Sequence, residues 1–234
     1  MNIILASGSP RRRELLARAQ LDFRVLSVDI DESLQDNELP KDYIERMVAT
    51  KAAAAIDQLN EALELDEIVA SDANESIIIL TSDTIGVLPD GKTVLVKPTG
   101  RDHAYSMWQQ MSDNVHEVWT AVQATQLQLL PKPADHHTSG STRAFHLIDQ
   151  QQIIERTEVT FVPLTIKMMS DYWESGEPAD KAGGYGIQGL GAAWVSRING
   201  SYTNVVGLPL AQTLALIKAM TEPSEHISAV KTDR

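Results

Sequence analysis

The sequence predicts a mixed α/β protein, and three observations carry that expectation. Short apolar runs alternate with segments of helical periodicity. One strong turn signal, Asp90-Gly91, joins two strand-like runs directly. The alternation is also too irregular for a repeated βαβ unit. With 234 residues, 43% of them hydrophobic, the chain can bury a core and does not have the composition of a disordered segment.

The elements follow in order. Ile3 to Ala6 is a short buried strand, and Pro10 opens a helix continued by Glu14, Leu15, Leu16 and Ala19. Phe23 to Val28 is a second strand, leading into the acidic stretch DIDES. A long helix runs from Pro40 to about Leu63, with Ile44, Met47, Val48, Ala52, Ala55, Ile56 and Leu59 in one stripe. Lys51 falls inside that stripe, an ordinary place for a lysine that snorkels to solvent. After a polar loop at 71–76, IIIL enters TSDTIGVL, a β-rich run interrupted by polar residues around Asp83. The Asp90-Gly91 turn then returns the chain as TVLVK. KPTGRDHAYSMWQQM reads as a turn and a helix, and VHEVWTAV as a strand.

Residues 131–144 form a polar loop inserted between strands, whose adjacent His136 and His137 read as loop rather than as metal ligands. TEVTFVPLTI is a strand, MSDYWESGEP a short helix, DKAGGYGIQGLG a glycine-rich loop and AAWVSRI a strand. Asn199-Gly200 marks a second tight turn, and a second hairpin, into SYTNVVG. LPLAQTLALIKAM is the last helix. Residues 1–221 then make one domain, and 222–234 a loose tail.

Bulk properties narrow the function. A formal net charge of −12 does not suit a general nucleic-acid or anionic-membrane binder, although a local basic cluster can still hold a small anion. The chain has no cysteine, which removes disulfides, thiolate metal sites and cysteine nucleophiles. The apolar run Ile3 to Ala6 is too short for a signal segment and no run reaches the length of a membrane span, so a soluble cytoplasmic protein is expected.

Three stretches carry chemistry. LASGSPRRRELL places Ser7, Gly8 and Ser9 before a helix start, where backbone N–H groups favour anions, and follows them with Arg11, Arg12 and Arg13. Helical positions splay by about 100°, so at most two arginines can face one ligand. The same residues also fit an ordinary helix start with surface arginines. Asp83, in a mostly buried strand, needs a partner there, either a structural hydrogen bond or a divalent cation; Asp29, Asp31 and Glu32 offer a second source of carboxylates. A Ser9 nucleophile has no base near it in sequence. GYGIQG, Gly184 to Gly189, matches G-x-G-x-x-G but precedes a strand-like run and lacks a downstream acid. It is therefore not a dinucleotide fingerprint, and reads instead as a loop that wraps close to a base or sugar.

Together LASGSPRRRELL, the Glu32 region, Arg46 with Lys51-Ala52, SDT, VKP, HEVWTAV, EPADKAGGYGIQG, INGSY and VVGLPL resemble the Maf family, septum-formation-inhibitor-like nucleoside triphosphate pyrophosphatases, over residues 3 to about 212. The resemblance implies a mixed, twisted sheet with flanking helices in two lobes around a central cleft, similar to inosine-triphosphate pyrophosphatase. It implies metal-dependent cleavage of a nucleoside triphosphate to the monophosphate and pyrophosphate, with Mg²⁺ or Mn²⁺ as cofactor. The residues carried over are Ser7, Arg12, Glu32, Lys51, Asp83 and Lys97, with Asp83 as proton acceptor and Asp83 and Glu32 as metal ligands. Arg11, Thr84 and Gln188 match the subfamily that prefers dTTP and UTP. A glutamine amide can both donate to and accept from a pyrimidine edge. A homodimer is the family expectation, with no nucleic-acid or membrane partner. Ser82 departs from the family's usual alanine without touching the implied catalytic groups. The alternative is a non-catalytic nucleotide-binding regulator of septum formation.

Overall fold

The computed structural model describes residues 2–64, 76–131 and 143–221. Its centre is a seven-stranded mixed sheet. The buried apolar run Asn2–Ala6 forms β1. Helix α1 (Pro10–Arg18) and strand β2 (Phe23–Leu26) follow, and then helix α2 (Pro40–Glu64) and strand β3 (Ser76–Val87). Each of these strands is reached across a helix, and β1 accordingly pairs in parallel with β2 on one side and β3 on the other. From β3 onward the pairing is antiparallel. Strand β4 (Val94–Leu95) closes the Asp90-Gly91 hairpin on β3, helix α3 (Arg101–Met111) follows, and β5 (Val115–Pro131) and β6 (Arg143–Phe161) lie side by side. Helix α4 (Ile166–Glu174), three short 3₁₀ turns, β7 (Val195–Asn199), α5 (Tyr202–Val206) and α6 (Leu210–Thr221) complete the order. The sheet order is β2-β1-β3-β5-β6-β7, with β4 on the free edge of β3.

Helix α2 covers one face of the sheet. Its apolar stripe packs Ala55 and Leu59 against Ile77, Ile79 and Leu127, and Ile44, Met47 and Val48 against Ile85, Val87 and Trp119. The other face carries two separate cores. One lies under α1 and α6, with Leu15, Leu16, Leu216 and Ile217 on Leu5, Ile78 and Leu80. The second is aromatic and gathers Trp108 of α3, Tyr172 of α4, Tyr185 and Trp194 around Phe161. Between these two cores the sheet edge is broken. β1 pairs with β3 only as far as Leu5 opposite Leu80, and β4 joins only at Gly86 opposite Leu95. Residues 81–85 are therefore laddered to β5 alone among the strands. A cleft opens at this gap.

Four expectations need correction. β3 is unbroken through Asp83, because Thr81 donates to the Val48 carbonyl (2.9 Å) and Asp83 meets Lys51 (2.5 Å), so its polar residues are satisfied without leaving the ladder. SYTNVVG does not form a second hairpin: Ser201 accepts from the Asn204 N–H and caps α5. Ala192 to Trp194 form a 3₁₀ turn before β7 rather than strand. The strands flanking the inserted loop claim Pro131, Arg143 and Ala144 from it. The rest of that loop with His136 and His137, residues 71–75 and the tail from Glu222 lie outside the described residues. No helix among the described residues is long and apolar enough to cross a membrane.

Asn204 ties the C-terminal segment to the sheet. Fully buried, it donates through Nδ2 to the Val118 carbonyl (2.9 Å) and to Thr157 Oγ1 (2.9 Å). Asn204→Ala leaves a buried carbonyl without its donor, which is expected to cost about 2 kcal/mol and to lower Tm by roughly 4–8 °C in thermal denaturation.

Candidate active site

The cleft encloses about 660 Å³, within the usual size range of a small-molecule site. One wall is the start of α1. Pro10 fixes the first helical residue, and Arg11 and Arg12 face the cleft while Arg13 is exposed and does not line it. Arg12 is held by three neutral acceptors: Nε donates to the Gly207 carbonyl (2.8 Å), one terminal nitrogen to Ser7 Oγ (3.2 Å) and the other to Thr84 Oγ1 (3.0 Å). A guanidinium has five N–H groups, so each terminal nitrogen keeps one for a ligand. Enclosure lowers the pKa of Arg12 from its ordinary value; the charge of Asp83 offsets part of this and neighbouring Arg11 adds to it.

Ser7 itself is buried behind Arg12 and does not line the cleft. Thr84 lines it, but Thr84 Oγ1 is shared with Arg12 and with Thr120 (3.0 Å). Gly207 stands at φ 128°, a conformation that L side chains rarely adopt, and its carbonyl faces Arg12 and also accepts weakly from Ser82 (3.4 Å). Ser82 thus meets the carbonyl that braces Arg12 without a hydrogen bond to any of the catalytic groups named from the sequence.

The floor is an ionic cluster. Lys51 is only 7% exposed, so the snorkelling reading is overturned: Lys51 Nζ lies 2.5 Å from Asp83 Oδ1 and 2.9 Å from Glu32 Oε1. Burial works to raise the Glu32 carboxyl, but the hydrogen bond and charge of Lys51 outweigh it, with Lys97 and Arg12 adding at longer range, and the net shift is downward. The loop that delivers Glu32 is clamped to α2. Tyr43 Oη donates to the Glu32 carbonyl (2.9 Å), and Arg46 forms a two-pronged ion pair with Glu38 at 2.6 Å on each prong. Asp29 and Asp31 are exposed and do not line the cleft.

The far wall is the glycine-rich loop. Gln188 is exposed and lines the cleft; half-buried Lys181 and Glu177 and buried Tyr185 line it too, and Lys97 stands on the segment after β4. Trp108 Nε1 donates to the Gly183 carbonyl (3.1 Å) and fixes the loop to α3. Of the nine residues singled out from sequence, Arg11, Arg12, Glu32, Lys51, Asp83, Thr84, Lys97 and Gln188 meet in this one cleft. Sequence reasoning gave no role to Glu177 or Gly207, although both sit in the quoted motifs EPADKAGGYGIQG and VVGLPL.

Residues 2–220 match the family model described as Maf-like protein. The chain belongs to the Maf family. It is 71% identical over 224 residues to a Psychrobacter cryohalolentis protein, covering 95% of this chain and 98% of that one. It is 70% identical to a Psychrobacter arcticus protein over 94% of this chain and 96% of the relative. A Vibrio parahaemolyticus relative is 38% identical, with 93% and 96% covered. All three relatives are named dTTP/UTP pyrophosphatase. The Maf match spans both walls and the floor of the cleft.

His116 of β5, 1% exposed, supports the cleft residue Tyr185 through a 2.7 Å hydrogen bond at Nε2. Burial pushes its pKa down to about 4, and Nδ1 has no partner among the described residues. The unfolded chain therefore binds a proton that the folded one refuses between about pH 6.5 and pH 4. Stability is expected to fall as pH falls through that window, by at most about 3 kcal/mol. Urea titrations at pH 7 and pH 4.5, with His116→Gln showing a flatter dependence than the unaltered protein, check this.

Proposed function

We propose that this protein hydrolyses dTTP and UTP to the monophosphate and pyrophosphate, acting in nucleotide-pool house-cleaning as a single domain over residues 1–221. The observation that carries the reading is the buried ammonium of Lys51 shared by Asp83 and Glu32, at the floor of a cleft whose rim bears Arg11, Arg12 and Lys97. Such a site presents carboxylates for a cation and cations for a polyphosphate. The names of the relatives point to the same substrates.

The residues present fit a divalent metal. Asp83 and Glu32 meet the same Lys51 ammonium, which sets two carboxylates side by side on the cleft floor, although no group of three or more His, Asp or Glu that could hold an ion is present among the described residues. Two protein carboxylates suit Mg²⁺ or Mn²⁺, which complete their shells with water and substrate phosphate oxygens. Glu32 and Asp83 would hold it, and when bound it would neutralise phosphate charge and acidify a coordinated water.

The chain's own residues do the rest. The two N–H groups that Arg12 keeps free grip phosphate oxygens as a fork, with Arg11 and Lys97 beside it. Lys51 holds Oδ1 of Asp83, which leaves Oδ2 to take the proton of the water that attacks the α phosphorus. Positioning and charge stabilisation supply most of the acceleration. The Gln188 amide reads the carbonyl and N–H edge of the pyrimidine. A soluble, cytoplasmic homodimer without nucleic-acid or membrane partners completes the reading.

A panel of canonical and modified nucleoside triphosphates with Mg²⁺ or Mn²⁺ tests it. Pyrophosphate release is expected to be fastest with dTTP and UTP, and its absence with every substrate would refute the enzyme reading in favour of a binding-only regulator. Asp83→Asn is expected to lower kcat by about 10²–10⁴-fold. Gln188→Glu should shift preference from dTTP towards 7-methyl-GTP by roughly tenfold, because a carboxylate suits the donor edge of guanine.

A further inference from the structure

The carboxylate of Glu177 lines the cleft without a part in the proposed reaction. It sits just after α4 and is surrounded by donors. Oε2 accepts from the Leu190 N–H (2.8 Å), and Oε1 accepts from the Gly191 N–H (3.3 Å) and from Tyr172 Oη (2.7 Å). Tyr172 Oη in turn accepts from the Gly186 N–H (3.1 Å). Both ends of the loop from Gly186 to Gly191 thus converge on one carboxylate, with Gln188 between them.

The loop closes tightly around this group. A Cβ at Gly189 would stand 2.4 Å from both Glu177 carboxylate oxygens, and one at Gly191 would stand 2.7 Å from Tyr172 Oη. No side chain fits there, so these glycines are a steric requirement of the anchor itself. Burial works to raise the Glu177 carboxyl, but the hydrogen bonds from Leu190, Tyr172 and Gly191 outweigh it and hold the group below its ordinary value. A carboxylate engaged in this way spends its charge on backbone donors and repels a triphosphate less than a bare one would.

We infer that Glu177 is a positioning residue for base selection: its carboxylate fixes the Gly186–Gly191 loop in the conformation that presents Gln188 to the cleft. This rests on the reading of Gln188 as the group that recognises the base. Phosphate handling belongs to the opposite wall and the floor, so loss of the anchor should affect binding and preference rather than chemistry.

Glu177→Gln tests it, because the amide replaces one acceptor oxygen with a donor facing a backbone N–H. The expected result is a KM for dTTP raised about tenfold or more with kcat changed by less than about threefold. The preference for dTTP over dGTP should narrow by a similar factor, and the Leu190 and Gly191 amides should lose hydrogen-exchange protection. Tyr172→Phe keeps the ring and removes only the hydroxyl, and should give a smaller shift in the same direction even if Glu177→Gln folds poorly. Unchanged KM and preference, or a fall in kcat alone, would overturn the inference, as would retained protection of both amides. If the unaltered protein releases no pyrophosphate, the proposed function fails separately. Calorimetric binding of dTTP against dGTP then replaces KM, and a preference that survives Glu177→Gln intact overturns the role of Glu177.

Discussion

The architecture of the site depends on an interruption in the edge of the sheet. β3 pairs with β1 up to Leu80 and with β4 from Gly86, and the residues between keep a strand neighbour on one side only. In a continuous sheet, side chains on opposite faces are screened from one another by the neighbouring strands. At an open edge they are not. Asp83 points to the α2 side and meets Lys51, Thr84 points to the α1 side and meets Arg12, and both still border one cleft. The rigid ladder to β5 holds the spacing between them, so the two sets of charges are positioned by a strand rather than by a loop.

Charge follows the same geometry. In a chain of net charge −12, the cleft collects Arg11, Arg12, Lys51, Lys97 and Lys181 against Glu32, Asp83 and Glu177. The local balance is therefore opposite in sign to the global one. A net negative charge is unfavourable to long polyanions in general, while a small polyanion inside such a cleft lies against mainly basic walls, because exposed charges farther than about 10 Å away are screened. Each carboxylate in the cleft has an assigned partner: Lys51 for Asp83 and Glu32, and backbone N–H groups for Glu177.

The long helix from Pro40 and the strand at Ile3 to Ala6 were legible because their patterns report burial directly. The stripe from Ile44 to Leu59 has one apolar side, and that side is the one packed on the sheet. β5 and β6 outran their apolar signatures because ladder bonds to neighbouring strands carry Gln123, Gln126 and Gln128 through the sheet regardless of polarity. TNVV looked like strand by composition, but the Ser201 cap and the Asn204 bonds to Val118 and Thr157 favoured a helical turn. In the site, the 100° helical splay limited the arginines facing one ligand to two without naming them, and it is Arg11 and Arg12 that line the cleft. Lys51 was ambiguous because its partner Asp83 lies 32 positions away and sequence periodicity carries no such information. Glu177 left no local signal either, since its partners are backbone N–H groups that every residue but proline possesses.

The hydrogen bond from Arg12 to the Gly207 carbonyl spans 195 positions of the chain. The first helix of the protein is thus braced by a segment that follows α5, far along the chain. A nascent chain that has already paired β1, β2 and β3 still lacks the acceptor that orients this arginine. The cleft is complete only once the segment bearing Gly207 has docked against Arg12. A chain that stops short of Gly207 holds the residues of β1, β2 and β3 but lacks the carbonyl on which Arg12 Nε is aligned.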